Sequence, residues 1–210
     1  MKMSVCIVAT VLACFSSQAE IESYSDLVDS ISNALQNKEL FHDPSFTNEV
    51  VAFAGSTTNG LHSVTAMLGL SLAFLEIAES SMEDSLYVTG LDAVTNALQS
   101  PFCPTTAWQR YAGMSILCDY LNYDAKYAES FEVSTNAIAL IDSCNPNLES
   151  PNFWAALTQF DNIPGASLRE AFQINAAGSR IMSGVFEDVG VFTNGLPQNI
   201  MESLLELMGD

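Results

Sequence analysis

Residues Val50 to Ser63 read VVAFAGSTTNGLHS: an apolar run closes on Gly55, small polar residues follow, and Gly60 leads into a second apolar run. Two opposite folds share that outline. A phosphate-cradling loop has the form G-x-x-x-x-G-K-[ST], with a strand before it and a helix after it. Gly55 and Gly60 have the required separation. Leu61, however, occupies the position of the lysine that reaches phosphate, and His62 that of the magnesium-binding hydroxyl. The preceding FTNEVVAFA starts just after Asp43 and Pro44, an N-cap residue followed by proline at the first helical position. It therefore reads as helix. Gly55 is expected as a left-handed C-terminal residue, and Thr58 or Asn59 as the cap of the next helix. The stretch joins two helices, and the fold it implies is all-α.

The same pattern recurs outward from this joint. SYSDLVDSISNALQNKEL carries Leu27, Ile31 and Leu35 on one helical face, with Ser23 and Asp26 as an acidic form of the capping box. A long apolar helix is expected from about Leu61 to Ala78, followed by SMEDSLYVTGLDAVTNALQ, which SPFCP closes. Thr105 is placed to cap TAWQRYAGMSILCDYLN, and DAKYAESFEVSTNAIALI ends at SCNPN. Ser150 and Pro151 open NFWAALTQF, Ser167 and Glu170 form a capping box for LREAFQINAAGSRIM, and Pro197 opens QNIMESLLELM. Only GVFEDVGVFTNG, from Gly184 to Gly195, reads as extended chain.

Two of these segments match in plan. SLYVTGLDAVTNALQSP from Ser85 and SFEVSTNAIALIDSCNP from Ser130 both run from serine to proline, and each follows a helix of comparable length. Trp108 and Trp154 open successive units. The expected architecture is antiparallel helical hairpins stacked side by side, a degenerate repeat with a period of about 45 residues. Leu68, Gly69 and Leu72, and again Trp108, Tyr111 and Ala112, follow the first-helix spacing of a tetratricopeptide motif, which the plan resembles. The second-helix pattern of that motif is missing, and the period is longer than its usual 34 or so.

Charge and the N-terminus bear on class. The 210 residues carry 25 acids against 6 bases, a formal net charge of -19. Such a surface repels polyanions, which argues against nucleic acid as a partner. MKMSVCIVATVLACFSSQAE has the basic start, short apolar run and small-residue end of a secretory signal. Residues 1–19 are therefore expected as signal peptide and 20–210 as a single helical domain. VLAC offers an alternative: a lipobox with a lipid anchor at Cys14. No stretch is expected to cross a membrane, because the apolar run before Glu76 and Glu79 soon meets charge. With Cys6 and Cys14 in the leader, Cys103, Cys118 and Cys144 remain. Cys103 and Cys144 sit in equivalent breaker loops, so a disulfide between them is expected, stabilising by about 2–4 kcal/mol. Cys118 is expected as a buried thiol.

Chemistry-bearing motifs are sparse. There is no G-x-S-x-G and no CxxC, and the two histidines, His42 and His62, read as loop and cap residues. No zinc set is visible, and in DNIPGASLRE Ile163 and Gly165 stand where a calcium loop needs oxygen ligands. No catalytic residue, metal or cofactor is therefore assigned. Trp108, Arg110, Tyr111 and Arg180 are the candidate ligand contacts: two cations beside aromatic or apolar helix edges. The expected function is an exported, acidic module of the envelope or extracellular space that binds a protein or peptide. A small secreted or periplasmic hydrolase and a lipidated structural envelope subunit are the alternatives.

Overall fold

Ser23 Oγ accepts from the Asp26 amide at 3.2 Å and Asp26 Oδ2 accepts from the Ser23 amide at 2.8 Å, and this closed capping box starts α1 (Tyr24–Gln36). The computed structural model describes residues 21–144, 146, 151–161, 163, 166–198, 200–202 and 204. The expected signal peptide with Cys14, and the expected cap Ser150, lie outside these residues. A short 3-10 turn over Lys38–His42 leads to α2 (Pro44–Ser56), capped by Asp43, whose carboxylate accepts from the Ser45 amide at 2.9 Å. Asn59 caps α3 (Gly60–Ser81) by accepting from the Leu61 amide at 3.0 Å. The opening stretch is a helix–helix joint, as read. Gly55 is not its left-handed residue: α2 runs through it to Ser56 and ends on extended Thr57, whose amide donates to the Phe53 carbonyl.

The chain continues as α4 (Asp84–Gln99), α5 (Trp108–Tyr123), α6 (Tyr127–Cys144), α7 (Pro151–Phe160), α8 (Leu168–Met182) and a short α9 (Val189–Thr193). Among the described residues there is no strand. GVFEDVGVFTNG, expected to be extended, contains α9 instead. Its apolar residues serve a small satellite core in which Val189 packs with Ala177, Ile181, Leu196 and Leu204. Thr105 does not cap α5, which starts after Ala107 without a side-chain cap. The Thr105 carbonyl is engaged instead, accepting the Tyr111 hydroxyl at 2.6 Å.

Helix α3 is the centre of the molecule. Val64, Leu68, Leu72 and Leu75 have no exposed surface, and Ala66 and Ala73 are equally closed off. Because α1, α2, α4 and α5 surround it, its sequence carries no polar stripe. By length and composition alone α3 is long and apolar enough to cross a membrane, but most of it is buried inside the protein.

Helices α3 and α4 form one antiparallel hairpin and α5 and α6 a second, with α5 lying parallel beside α3. Hydrogen bonds fix that register. Gln109 Nε2 donates to Thr65 Oγ1 at 3.2 Å near the helix starts, and the Tyr120 hydroxyl donates to the Ser71 carbonyl at 2.6 Å further along. The stack expected from sequence thus exists for two hairpins and stops there. Helix α7 turns away to pack on α1, burying Phe153, Ala156 and Leu157 in the main core, and α8 takes the place beside α6. Ten residues suffice for α7 to fill that gap but not to pair along a full-length partner.

Close approach at the junction of the two hairpins depends on Gly90. Ser71 Oγ donates to the Gly90 carbonyl at 3.0 Å, and a Cβ at Gly90 would collide with the Tyr120 hydroxyl and with Phe74 Cβ. Here glycine is required by space, since two helices meet backbone to ring.

Cys103 and Cys144 are both free thiols, so the expected disulfide is absent. The two loops do meet, since Cys144 ends α6 with its Sγ 3.8 Å from Thr105 Oγ1, but Cys103 is buried near Arg110 and the two thiols are not joined. Because α6 runs through Cys144 to its last residue, that thiol is held on the helix. Cys118 is fully buried, as read.

Candidate functional site

The four residues singled out for ligand contact do not come together. Trp108 packs its ring against Phe153, with centroids 4.5 Å apart, and Tyr111 is wholly buried. Arg110 Nη1 donates to the Leu98 carbonyl in the last turn of α4, where a cation complements the exposed carbonyls of a helix end. Arg180 lies at the far end, in the last turn of α8. Its guanidinium donates to Asp188 Oδ2 at 3.4 Å and sits 3.8 Å over the Phe131 ring. His62 stacks on Tyr24 with ring centroids 4.1 Å apart.

A different group of side chains converges where α3 and α5 end and α7 finishes. Asp119 comes from α5 and Asp161 directly follows α7; Glu76 and Glu79 come from the last turns of α3. Lys38, on the 3-10 turn, ion-pairs with Glu76 at 3.2 Å. Its charge also reaches Asp119 and Asp161. Ser115, one turn before Asp119, donates to Asp161 Oδ2 at 3.3 Å and ties the end of α7 to α5. Asn122 donates from Nδ2 to Asn175 Oδ1 on α8 at 3.1 Å. Helical spacing puts Ser115, Asp119 and Asn122 on one face of α5.

Besides Glu76 Oε2, which faces the Lys38 ammonium, three oxygens at this pole are buried and have no hydrogen-bond donor among the described residues: Asp119 Oδ2, Asp161 Oδ1 and Asn122 Oδ1. All three are acceptors. Buried polar atoms are normally paired, and each exception calls for a physical account. The electrostatics agree with the geometry. Burial, then the charges of Asp161 and Glu79, lift the Asp119 carboxyl well above the usual carboxylate range. Burial pushes Asp161 up to about 7, against the opposing pull of the Ser115 hydroxyl and Lys38. Burial and the neighbouring Glu76 raise Glu79 as well. Groups this closely linked titrate as a pair. The pole can therefore hold a proton at neutral pH, or receive a group rich in donors. Among the described residues, no His, Cys, Asp and Glu are grouped so as to hold a metal ion.

Sequence reading passed over both aspartates. Asp119 had a signal: an acid inside the apolar run SILCDYL, at a spacing that continues the buried face of α5. Asp161 had none, because it lies in a polar turn among 25 acids and its partner is set by where α7 packs. No family model matches the chain, and neither the curated proteins nor the solved structures contain a similar one.

Proposed function

We propose that the chain is an exported, non-catalytic binding module that takes a basic group of a protein or peptide partner, a lysine side chain or an amino terminus, at the Asp119–Asp161 pole. One observation carries this reading: the three buried acceptor oxygens of Asp119, Asn122 and Asp161 have no donor among the described residues. An ammonium group supplies three donors and no acceptor, which complements such a lining. The overall charge of -19 would also draw a basic partner toward the module. The expected export rests on the leader-like first residues. Calorimetric titration with a short lysine-containing peptide tests the reading, with the same peptide acetylated on its amines as control. The first should bind, more weakly as salt rises, and Asp119→Asn should abolish binding. Equal binding of the acetylated peptide, or no binding of either, would sink the proposal.

A hydrolase is the second reading, because a carboxyl group held near neutral pH is suited to general acid–base work. It predicts hydrolysis that is lost in Asp161→Asn. The basic-group reading predicts none.

A further inference from the structure

We infer that Asp119 and Asp161 share one proton, and that this proton is a latch fastening the end of α7 to α5 in acidic and neutral solution and releasing it in alkaline solution. The inference concerns the ligand-free protein and stands whether or not a basic partner binds.

The geometry supports it from three sides. First, the two aspartates come from different elements, α5 and the residue after α7, so anything that joins them joins those elements. Second, each keeps one buried oxygen with no donor among the described residues, Asp119 Oδ2 and Asp161 Oδ1. A single proton between the two carboxyls provides the missing donor. Third, counter-charge is short. Glu79 faces Asp119 from α3 with Glu76 beside it, and Lys38, from the 3-10 turn, is already engaged with Glu76. From α5 itself come the Ser115 hydroxyl, the Cys118 thiol and the Tyr120 phenol. The thiol is pushed up to about 12 and the phenol is raised, both chiefly by burial, so both stay neutral. Helix α8 contributes the uncharged Asn175. A second negative charge on the pair would therefore lie buried with only Lys38, shared with Glu76, to offset it among the described residues, which is costly.

When the proton leaves, the two carboxylates repel each other, and the 3.3 Å Ser115–Asp161 hydrogen bond is left to tie the end of α7 to α5. If a basic group does bind at this pole, its N–H donors replace the shared proton, so uptake would release a proton and strengthen as the pair ionises.

Both carboxyls titrate higher in the folded chain than in the unfolded one. The stability they confer is therefore complete below the unfolded value and is lost as pH rises through the folded one, about 7 for Asp161. Thermal unfolding from pH 5.5 to 8.5 tests this with the full chain, Asp161→Asn, Asp119→Asn and the exposed control Glu132→Gln. An asparagine amide substitutes a permanent donor for the shared proton. The wild type and the control should lose stability across the range, while both asparagine variants hold theirs. At pH 8.5 the folding equilibrium of Asp161→Asn should exceed that of the wild type by about tenfold. Variants that lose stability in parallel with the wild type, or that are weaker than it at pH 8.5, would overturn the latch. If neither variant folds, the infrared carbonyl band of a protonated carboxylic acid decides. Its presence in the wild type at pH 6.5 and loss by pH 8.5 supports the shared proton, and its absence at pH 6.5 refutes it.

Discussion

Asp119 and Tyr120 are neighbours on α5, yet they belong to regions built on opposite terms. Tyr120 points into the hairpin junction, where every polar atom of the Ser71–Gly90–Tyr120 contact has a partner: its hydroxyl donates to Ser71, and Ser71 donates to Gly90. Asp119 turns to the pole beyond, where, among the described residues, its own Oδ2, Asp161 Oδ1 and Asn122 Oδ1 are left without a donor. A satisfied buried contact sets register and holds helices at one distance. An unsatisfied one calls for its own account, such as a proton, a ligand, a water or strain. The contrast separates what holds this molecule together from what it has available for binding.

The sharpest way to break the contrast is at Gly90. Gly90→Ala forces a methyl group into the Tyr120 hydroxyl and Phe74, and should cost about 3 kcal/mol, read as a lower urea midpoint with an unchanged slope. At the pole the sign reverses. Asp161→Asn should raise stability at pH 8.5 by about 1–2 kcal/mol and leave it nearly unchanged at pH 5.5, in the same denaturation measurement. Tyr120→Phe removes the hydroxyl that serves Ser71 without removing the ring, and should cost about 1 kcal/mol at every pH. A pH-dependent loss in Tyr120→Phe would mean that the two regions are not distinct. The smallest effect belongs to the exposed Arg169–Asp142 pair on α8 and α6, 3.0 Å apart. Arg169→Ala should cost less than about 1 kcal/mol, and high salt should erase the difference.

What was legible in the sequence follows the same division. Helix starts were local decisions, so Ser23, Asp43, Asn59 and Ser167 could be read as caps from a few residues each. The pairing of α3 with α4 and of α5 with α6 followed from helix lengths and short connections. Gly55 misled because a glycine near a helix end suggests a left-handed cap, whereas Thr57 ends that helix in extended form. Cys103 and Cys144 misled because neighbouring loops do not by themselves pair thiols: Cys103 is buried near Arg110, while Cys144 at the end of α6 reaches Thr105 instead. With α7 packed on α1, the array ends after two hairpins. The acidic pole was not legible at all in its second half. Asp161 meets Asp119 only because α7 docks where it does, and that docking is decided by Phe153, Ala156 and Leu157 filling the space beside α1, a packing outcome without a local signature.

The most direct test of the account is to follow the side-chain carboxyl carbons of Asp119 and Asp161 by nuclear magnetic resonance across pH, with and without a lysine-containing peptide. The account predicts a linked titration with Asp161 turning near 7 in the free protein, moved to lower pH by the peptide and left in place by its acetylated form. Two carboxyls that titrate in the ordinary range, about 3.5–4.5, and ignore both peptides would contradict it.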